Sequence, residues 1–165
     1  MARGFLNEIG RLANKLDEFA GAAVNAGVAL AAKRIVDDLQ KAGPSWTGDF
    51  KNNWVVAIGD TDIPATIPRR FPIPLAPLNT PSKPIIVPPL PAKFSINKIK
   101  YTIGNRAEYR AIALDLDPGN IRWKGSQPPN TAPKDWFTTY LQGGQINKTI
   151  AASLGPELDK VWRKA

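Results

Sequence analysis

The chain has 165 residues and a formal net charge of +8, and it contains neither cysteine nor histidine. This length fits a single domain. Without cysteine there is no disulfide framework and no thiolate nucleophile, and without histidine the commonest catalytic base and metal ligand are missing. The composition therefore predicts a protein that is not an enzyme, with no catalytic residue, no metal site and no cofactor.

Apolar residues recur in steps of three and four along the first forty residues, as in an amphipathic helix. The series is Phe5, Ile9, Leu12, Leu16, Phe19, Ala23, Gly27, Ala31, Ile35 and Leu39. We predict a helix from about Gly4 to Lys41, with Leu12, Leu16 and Ile35 mostly in the core. Because it would be about 57 Å long, longer than a globule of this size, we expect it to bend, break or overhang. Gly21 and Gly27 are the expected bend.

Neither a signal peptide nor a membrane span is predicted in this region. Charges at Arg3, Glu8 and Arg11 stand where a signal peptide needs an apolar core. The most apolar stretch, from Ala20 to Ala32, is thirteen residues long, whereas a membrane helix needs about 20. We expect a protein made in the cytoplasm, without a membrane partner.

A fold corner is predicted directly after the helix, in the stretch PSWTGDFKNNW. Thr47 can cap a turn, Gly48 lets the chain turn closely, and two aromatic rings can pack the helix end onto a sheet. The corner comprises Pro44, Trp46, Thr47, Gly48, Phe50 and Trp54. A strand is predicted next, at about residues 53–59.

Residues 62–93 form a proline-rich arm inserted in the single domain 1–165. Ten of the sixteen prolines lie between Ile63 and Ala92, which excludes a helix or central strand and favours extended polyproline II. All seven charged residues from Ile63 to Ala107 are basic, so we expect an acidic partner surface. The predicted partner-binding residues are Arg69, Arg70, Phe71, Ile73, Leu75, Lys83, Ile85, Ile86 and Val87. A flexible surface loop is the alternative.

Alternating apolar residues predict a second strand in KFSINKIKYTIGN, from Lys93 to Asn105, with a bulge between Ile96 and Ile99. Residues 106–117 fit a short helix or a third strand, and residues 121–123 a further strand.

The end of the chain, from about Lys134 to Lys164, is predicted as a helix interrupted at Gly143-Gly144 and at Gly155-Pro156. The predicted fold is α+β, with a long N-terminal helix, a small antiparallel sheet, C-terminal helices and an extended proline-rich insertion between strands.

The residue types raise two possible chemical functions, metal binding and nucleic-acid binding. Asp115 and Asp117 have no third ligand close in sequence, so a solvated face is favoured over a metal site. Nucleic-acid binding is the alternative function, because basic residues alternate with Phe71, Phe94 and Tyr101, which could stack on bases. The prolines of the arm, however, remove backbone donors.

Three motifs, in order, resemble the tail-completion family of tailed-phage neck proteins, which is similar to minor tail protein Z. They are PSWTGDFKNNW from Pro44, IGNRAEYRAIALD from Ile103, and KGSQPP from Lys124 followed by a helix. The resemblance covers nearly the whole chain except residues 63–92. The chain departs from the family pattern at Asp49, Lys51 and Arg110, and in the arm.

The resemblance implies a structural subunit of the phage head-tail connector, in a tail-completion or tail-terminator ring located in the virion neck. The implied partners are copies of the chain in a hexamer or dodecamer, a portal or adaptor protein, and tail-tube or terminator proteins. Nonspecific contact with DNA in the lumen is also implied. The arm would lie against a neighbouring subunit or the adjacent ring.

Overall fold

The computed structural model describes residues 2–43, 49–67, 81–90, 100–108, 110–114, 132 and 135–163, and it describes the side chains of the first helix from residue 18 onward. The elements in chain order are α1 (Ala2–Ala42), α2 (Asp49–Asn52), β1 (Trp54–Ile58), β2 (Tyr101–Asn105), α3 (Arg110–Ala113), α4 (Trp136–Gln142) and α5 (Gln145–Trp162). The predicted α+β architecture is confirmed.

Helix α1 is one continuous helix of 41 residues, about 61 Å long at 1.5 Å per residue. Its bounds agree with the predicted ones to within two residues. Gly43 ends it, with its amide bonded to the carbonyl of Leu39 at 3.0 Å. The helix continues through Gly21 and Gly27, so neither glycine breaks it.

Gly27 allows α1 and α5 to approach each other closely. A Cβ atom on Gly27 would lie 2.6 Å from Cδ2 of Leu154 and 3.1 Å from its Cα. Further along α1, Nη1 of Arg34 lies 3.2 Å from the carbonyl oxygen of Ala152 in α5. The contacts run in opposite order along the two chain segments, so α5 is antiparallel to α1. In this register α5 ends opposite about residue 19 of α1, and the N-terminal part of α1 extends beyond α5.

Helix α5 contains Pro156, so the predicted interruption at Gly155-Pro156 is wrong. A proline cannot donate to the carbonyl four residues earlier, here that of Ala152. Arg34 of α1 supplies the missing donor, because its Nη1 lies 3.2 Å from this carbonyl oxygen and 3.2 Å from Oγ of Ser153. The predicted break at Gly143-Gly144 is confirmed, since Gly144 has φ of 69° and separates α4 from α5.

The sheet has two antiparallel strands in the described part of the chain, with Trp54 opposite Asn105 and Ile58 opposite Tyr101. The amide of Gly59 donates to the carbonyl of Lys100 at 2.7 Å, which extends the ladder by one bond. Both strands lie within predicted segments, and the arm is the connection between them. Residues 110–113 form a helix. Of the two alternatives predicted for residues 106–117, a short helix or a third strand, the structure has the short helix.

The predicted bulge at 96–99 and the predicted strand at 121–123 lie outside the described residues. The main core lies between α1, the sheet and α4. Its buried side chains include Ile35, Val36, Leu39, Phe50, Trp54, Val56, Ala107, Leu114 and Trp136.

Candidate partner-binding site

Three aromatic rings hold the end of α1 against the sheet. The ring of Phe50 lies 5.5 Å from that of Trp54 and 6.3 Å from that of Trp136, in edge-to-face arrangements. All three side chains are buried. Of the residues predicted to form the corner, Phe50 and Trp54 pack together here, whereas Pro44, Trp46, Thr47 and Gly48 lie outside the described residues.

Asn105 joins the corner to the end of β2. Its side chain is 2% exposed, and its Nδ2 donates to the carbonyl of Phe50 at 2.7 Å. Its Oδ1 accepts from the amide of Ala107 at 2.9 Å. A buried amide with both ends paired specifies one arrangement of the two segments, because any other leaves polar groups unpaired.

The arm begins against the same end of β2. Ile63 is buried and packs over Gly104, where a Cβ atom would lie 2.8 Å from Cδ1 of Ile63. Ile67 forms a parallel bridge with Ala107, and the amides of Thr66 and Ile67 donate to the carbonyl of Arg106 at 2.9 and 3.0 Å. Residues 63–67, at the start of the arm, are therefore part of the domain.

Arg110 ties the start of the arm to the sheet. Its Nη1 donates to the carbonyl of Asn105 at 2.9 Å and to the carbonyl of Ile63. The guanidinium therefore fastens the start of the arm to the end of β2.

The arm returns across the ends of α1 and α2. The amide of Lys83 donates to Oδ1 of Asn52 at 2.8 Å, and its carbonyl accepts from Nε2 of Gln40 at 3.4 Å. Further along, the hydroxyl of Tyr101 donates to the carbonyl of Pro88 at 3.1 Å. In these hydrogen bonds, side chains of the domain pair with backbone N–H and C=O groups of the extended arm.

The apolar residues of the returning segment alternate in direction. Ile85 and Val87 are partly buried against the core, whereas Ile86 between them is 85% exposed. Ile85 and Val87 therefore pack within their own domain, and Ile86 and the side chain of Lys83 face outward. The other predicted partner-binding residues, Arg69, Arg70, Phe71, Ile73 and Leu75, lie outside the described residues.

Lys83 lies beside the ends of α1 and α2, each of which carries a lysine in its last turn. The backbone bonds of Lys83 place it beside Gln40 and Asn52, whose sequence neighbours are Lys41 and Lys51. Elsewhere in the basic segment Lys100 pairs with Asp60 at 2.8 Å, with both side chains largely exposed. An exposed pair of this kind contributes about 0–1 kcal/mol.

Two tyrosines in this region have raised pKa values. Burial and the negative charge of Asp38 raise the pKa of Tyr140 to about 12, and burial raises the pKa of Tyr101. Both phenols are therefore neutral at pH 7. Within the described part of the chain, the buried hydroxyl of Tyr140 and the buried Nε1 of Trp54 have no hydrogen-bond partner.

Sequence reasoning missed three residues that build the site: Asn105, Arg110 and Trp136. Asn105 and Arg110 lie in the second motif, but nothing in their spacing shows which carbonyls they reach. Trp136 donates from Nε1 to the carbonyl of Ala113 at 2.9 Å. Its place beside Phe50 depends on a contact 86 residues away in the sequence.

The residues that the structure describes contain no cluster of three or more acidic side chains that could hold a metal ion. Asp115 and Asp117 lie outside them. The segment Glu18–Ala42 of α1 is long and apolar enough to cross a bilayer by length and composition, with a mean hydropathy of 1.3 over its best window. A core helix also passes this test, and part of this segment packs on α5. The absence of a membrane partner stays a prediction.

No family model, curated protein or solved structure matches the chain.

Proposed function

We propose that this protein is a noncatalytic structural subunit of a tailed-phage head-tail connector, which forms a tail-completion or tail-terminator ring in the neck of the virion. The observation that carries the proposal is the hydrogen bond from Asn105 to the carbonyl of Phe50. It joins two of the three motifs that resemble the neck family, across 55 residues of sequence. Motifs that belong to one structural unit are expected to meet in this way.

The third motif, from Lys124 to Pro129, lies outside the described residues, but the helix expected after it is present as α4. Trp136 at the start of α4 packs on Phe50 of the first motif. The corner is thus built from the first two motifs and the helix that follows the third. Phe50, Trp54, Asn105 and Trp136, which build it, are buried, which fits a protein whose function lies in its interfaces.

The arm is the proposed contact to the next subunit or ring. Its two ends are bonded to the domain through Arg110 and Ile67 at one side and Lys83 and Pro88 at the other. The segments that flank residues 68–80 are thus fixed to the domain on both sides. An extended proline-rich segment orders at low entropic cost and so suits protein recognition.

Disruption of the gene in the phage or prophage that encodes it tests the function directly. We expect filled heads and complete tails that do not join, and we expect the protein on purified virions at the neck by immunogold labelling. Normal joined particles, or virions that lack the protein, would contradict the proposal.

A second experiment tests the arm and uses the boundaries seen in the structure. Residues 68–80 are replaced by thirteen Gly and Ser residues, which retains Ile67, Lys83, Ile85 and Val87 and therefore the packed ends. We expect unchanged far-UV circular dichroism and a loss of head-tail joining.

Two smaller variants separate apolar from ionic recognition. One changes Phe71, Ile73 and Leu75 to Ser, and the other changes Arg69 and Arg70 to Ser. If both join normally, the arm has no part in joining. If joining survives in the arginine variant but salt-sensitive retention on DNA is lost, the alternative nucleic-acid-binding function gains support.

A further inference from the structure

The apolar stripe of α1 changes from buried to exposed within one turn. Ala23, Ala31, Ile35 and Leu39 are buried, whereas Phe19, the preceding member of the same stripe, is 58% exposed. The change occurs where α5 ends in the antiparallel register set by Gly27 and Leu154. The stripe of α1 loses the cover of α5 at Phe19.

Trp162, the last residue of α5, is 78% exposed. By the same register it lies at the end of the helix pair where Phe19 lies. Two large aromatic side chains therefore face solvent at one end of the domain. Exposed apolar surface of this kind is typical of a protein interaction site.

The stripe continues past Phe19 toward the N-terminus. Residues 2–17 are helical, and the sequence places Phe5, Ile9, Leu12 and Leu16 on this face with spacings of four, three and four residues. Such spacing is the apolar seam of a two-helix coiled coil. A helix of this length is marginal in water by itself, so the overhanging half of α1 is expected to need a packing partner.

We propose that the overhanging half of α1 pairs in antiparallel orientation with the same segment of a second copy of the chain. In this pairing Ile9 is opposite Leu12 of the second copy, and Phe5 is opposite Leu16. Glu8 and Lys15 lie seven residues apart, at equivalent positions beside the seam.

Charge complementarity selects the antiparallel orientation. In the antiparallel pair Glu8 meets Lys15 of the second copy at two symmetric places. A parallel pair would instead place Ala13 and Ala20 opposite these charged residues. The pairing does not depend on the proposed function: a two-fold contact is self-complementary and closed, whereas a cyclic ring needs a further, head-to-tail contact elsewhere on the subunit.

Sedimentation equilibrium of the full chain tests the pairing, with far-UV circular dichroism to monitor folding. We expect the wild-type chain to be in a concentration-dependent equilibrium between the monomer and the pair. Leu12→Asp should raise the dissociation constant of the pair at least tenfold. Leu12→Asp should keep a cooperative thermal transition, because residue 12 lies beyond the end of α5. Asp62→Lys, a charge change at an exposed position outside α1, is the matched control and should leave association unchanged.

The charged pair gives a sharper test of orientation. Glu8→Lys or Lys15→Glu alone should weaken association at least tenfold, because each places like charges together twice. The double variant Glu8→Lys with Lys15→Glu should return to within about threefold of wild type, since the pairs re-form with reversed sign. Failure of the double variant to recover would overturn the antiparallel arrangement.

Four further outcomes are decisive. A wild-type chain that is monomeric at all concentrations overturns the pairing, and so does a Leu12→Asp variant that unfolds, because the stripe would then be intramolecular core. A Leu12→Asp variant that assembles into a ring of the same mass as the wild type overturns the pairing and leaves the proposed function standing, because the head-to-tail contact alone then builds the assembly. A dimer that never enters a ring supports the pairing and contradicts the proposed function.

Discussion

The α1–α5 helix pair and the corner that carries the arm are stabilised by different kinds of interaction. In the helix pair, a periodic row of small and aliphatic side chains packs against a second helix, and Gly27 sets the distance of approach. In the corner, single side chains reach individual backbone groups: Asn105 bonds Phe50, Arg110 bonds Ile63, and Asn52 bonds Lys83. The helix pair therefore depends on a periodic sequence pattern, whereas the corner depends on particular polar side chains.

The difference has a physical cause. A helix satisfies its own backbone, so its side chains are free to supply apolar area. An extended proline-rich segment lacks many backbone N–H donors, and it forms no internal hydrogen bonds between its own backbone groups. Its remaining backbone N–H and C=O groups need hydrogen-bond partners from other parts of the protein, and the side chains of the corner supply them.

The largest expected effect is in the helix pair. Ile35→Asp should unfold the protein, because an unpaired carboxylate in the core costs several kcal/mol. Thermal and urea unfolding monitored by circular dichroism measure this. The same change at Ile86, which is exposed on the arm, is the matched control and should alter the free energy of unfolding by about 0.5 kcal/mol or less. A soluble, folded Ile35→Asp variant would place that part of the stripe at the surface.

An intermediate effect is expected at the corner. Asn105→Ala removes the side chain that bonds both the carbonyl of Phe50 and the amide of Ala107, so it should lower the free energy of unfolding by about 2–3 kcal/mol. Urea denaturation gives the value. Asn147→Ala, at an exposed position of α5, serves as the control and should change little. Equal losses from the two variants would show that the buried amide does not specify the corner.

The smallest effect tests a polar contact within the helix pair itself. Arg34→Met removes the donor to the carbonyl of Ala152 and should cost about 1 kcal/mol. In a Pro156→Ala background the amide of residue 156 can bond that carbonyl, so the same substitution should cost about half as much. A double-mutant cycle measures the coupling, and additive losses would rule out the compensation of Pro156 by Arg34.

Much of the fold could be predicted from local sequence. The bounds of α1, the position of β1, the break at Gly143-Gly144 and the insertion between strands all follow from periodicity or from glycine and proline chemistry. Pro156 could not be placed correctly, because the side chain that compensates it lies on α1. Of the proposed site, Lys83 and Ile86 face outward, while Ile85 and Val87 pack against their own core.

The sequence by itself determined the elements, since helix and strand periods, turn residues and proline density act over a few neighbouring residues. It also determined the one-signed charge of the segment from Ile63 to Ala107. Only the tertiary structure decided which residues meet: Asn105 with Phe50, Arg34 with Ala152, and Trp136 with the corner. Those contacts join residues far apart in the chain, and their geometry depends on the antiparallel register of α1 and α5 and on the pairing of β1 with β2, which no local pattern encodes.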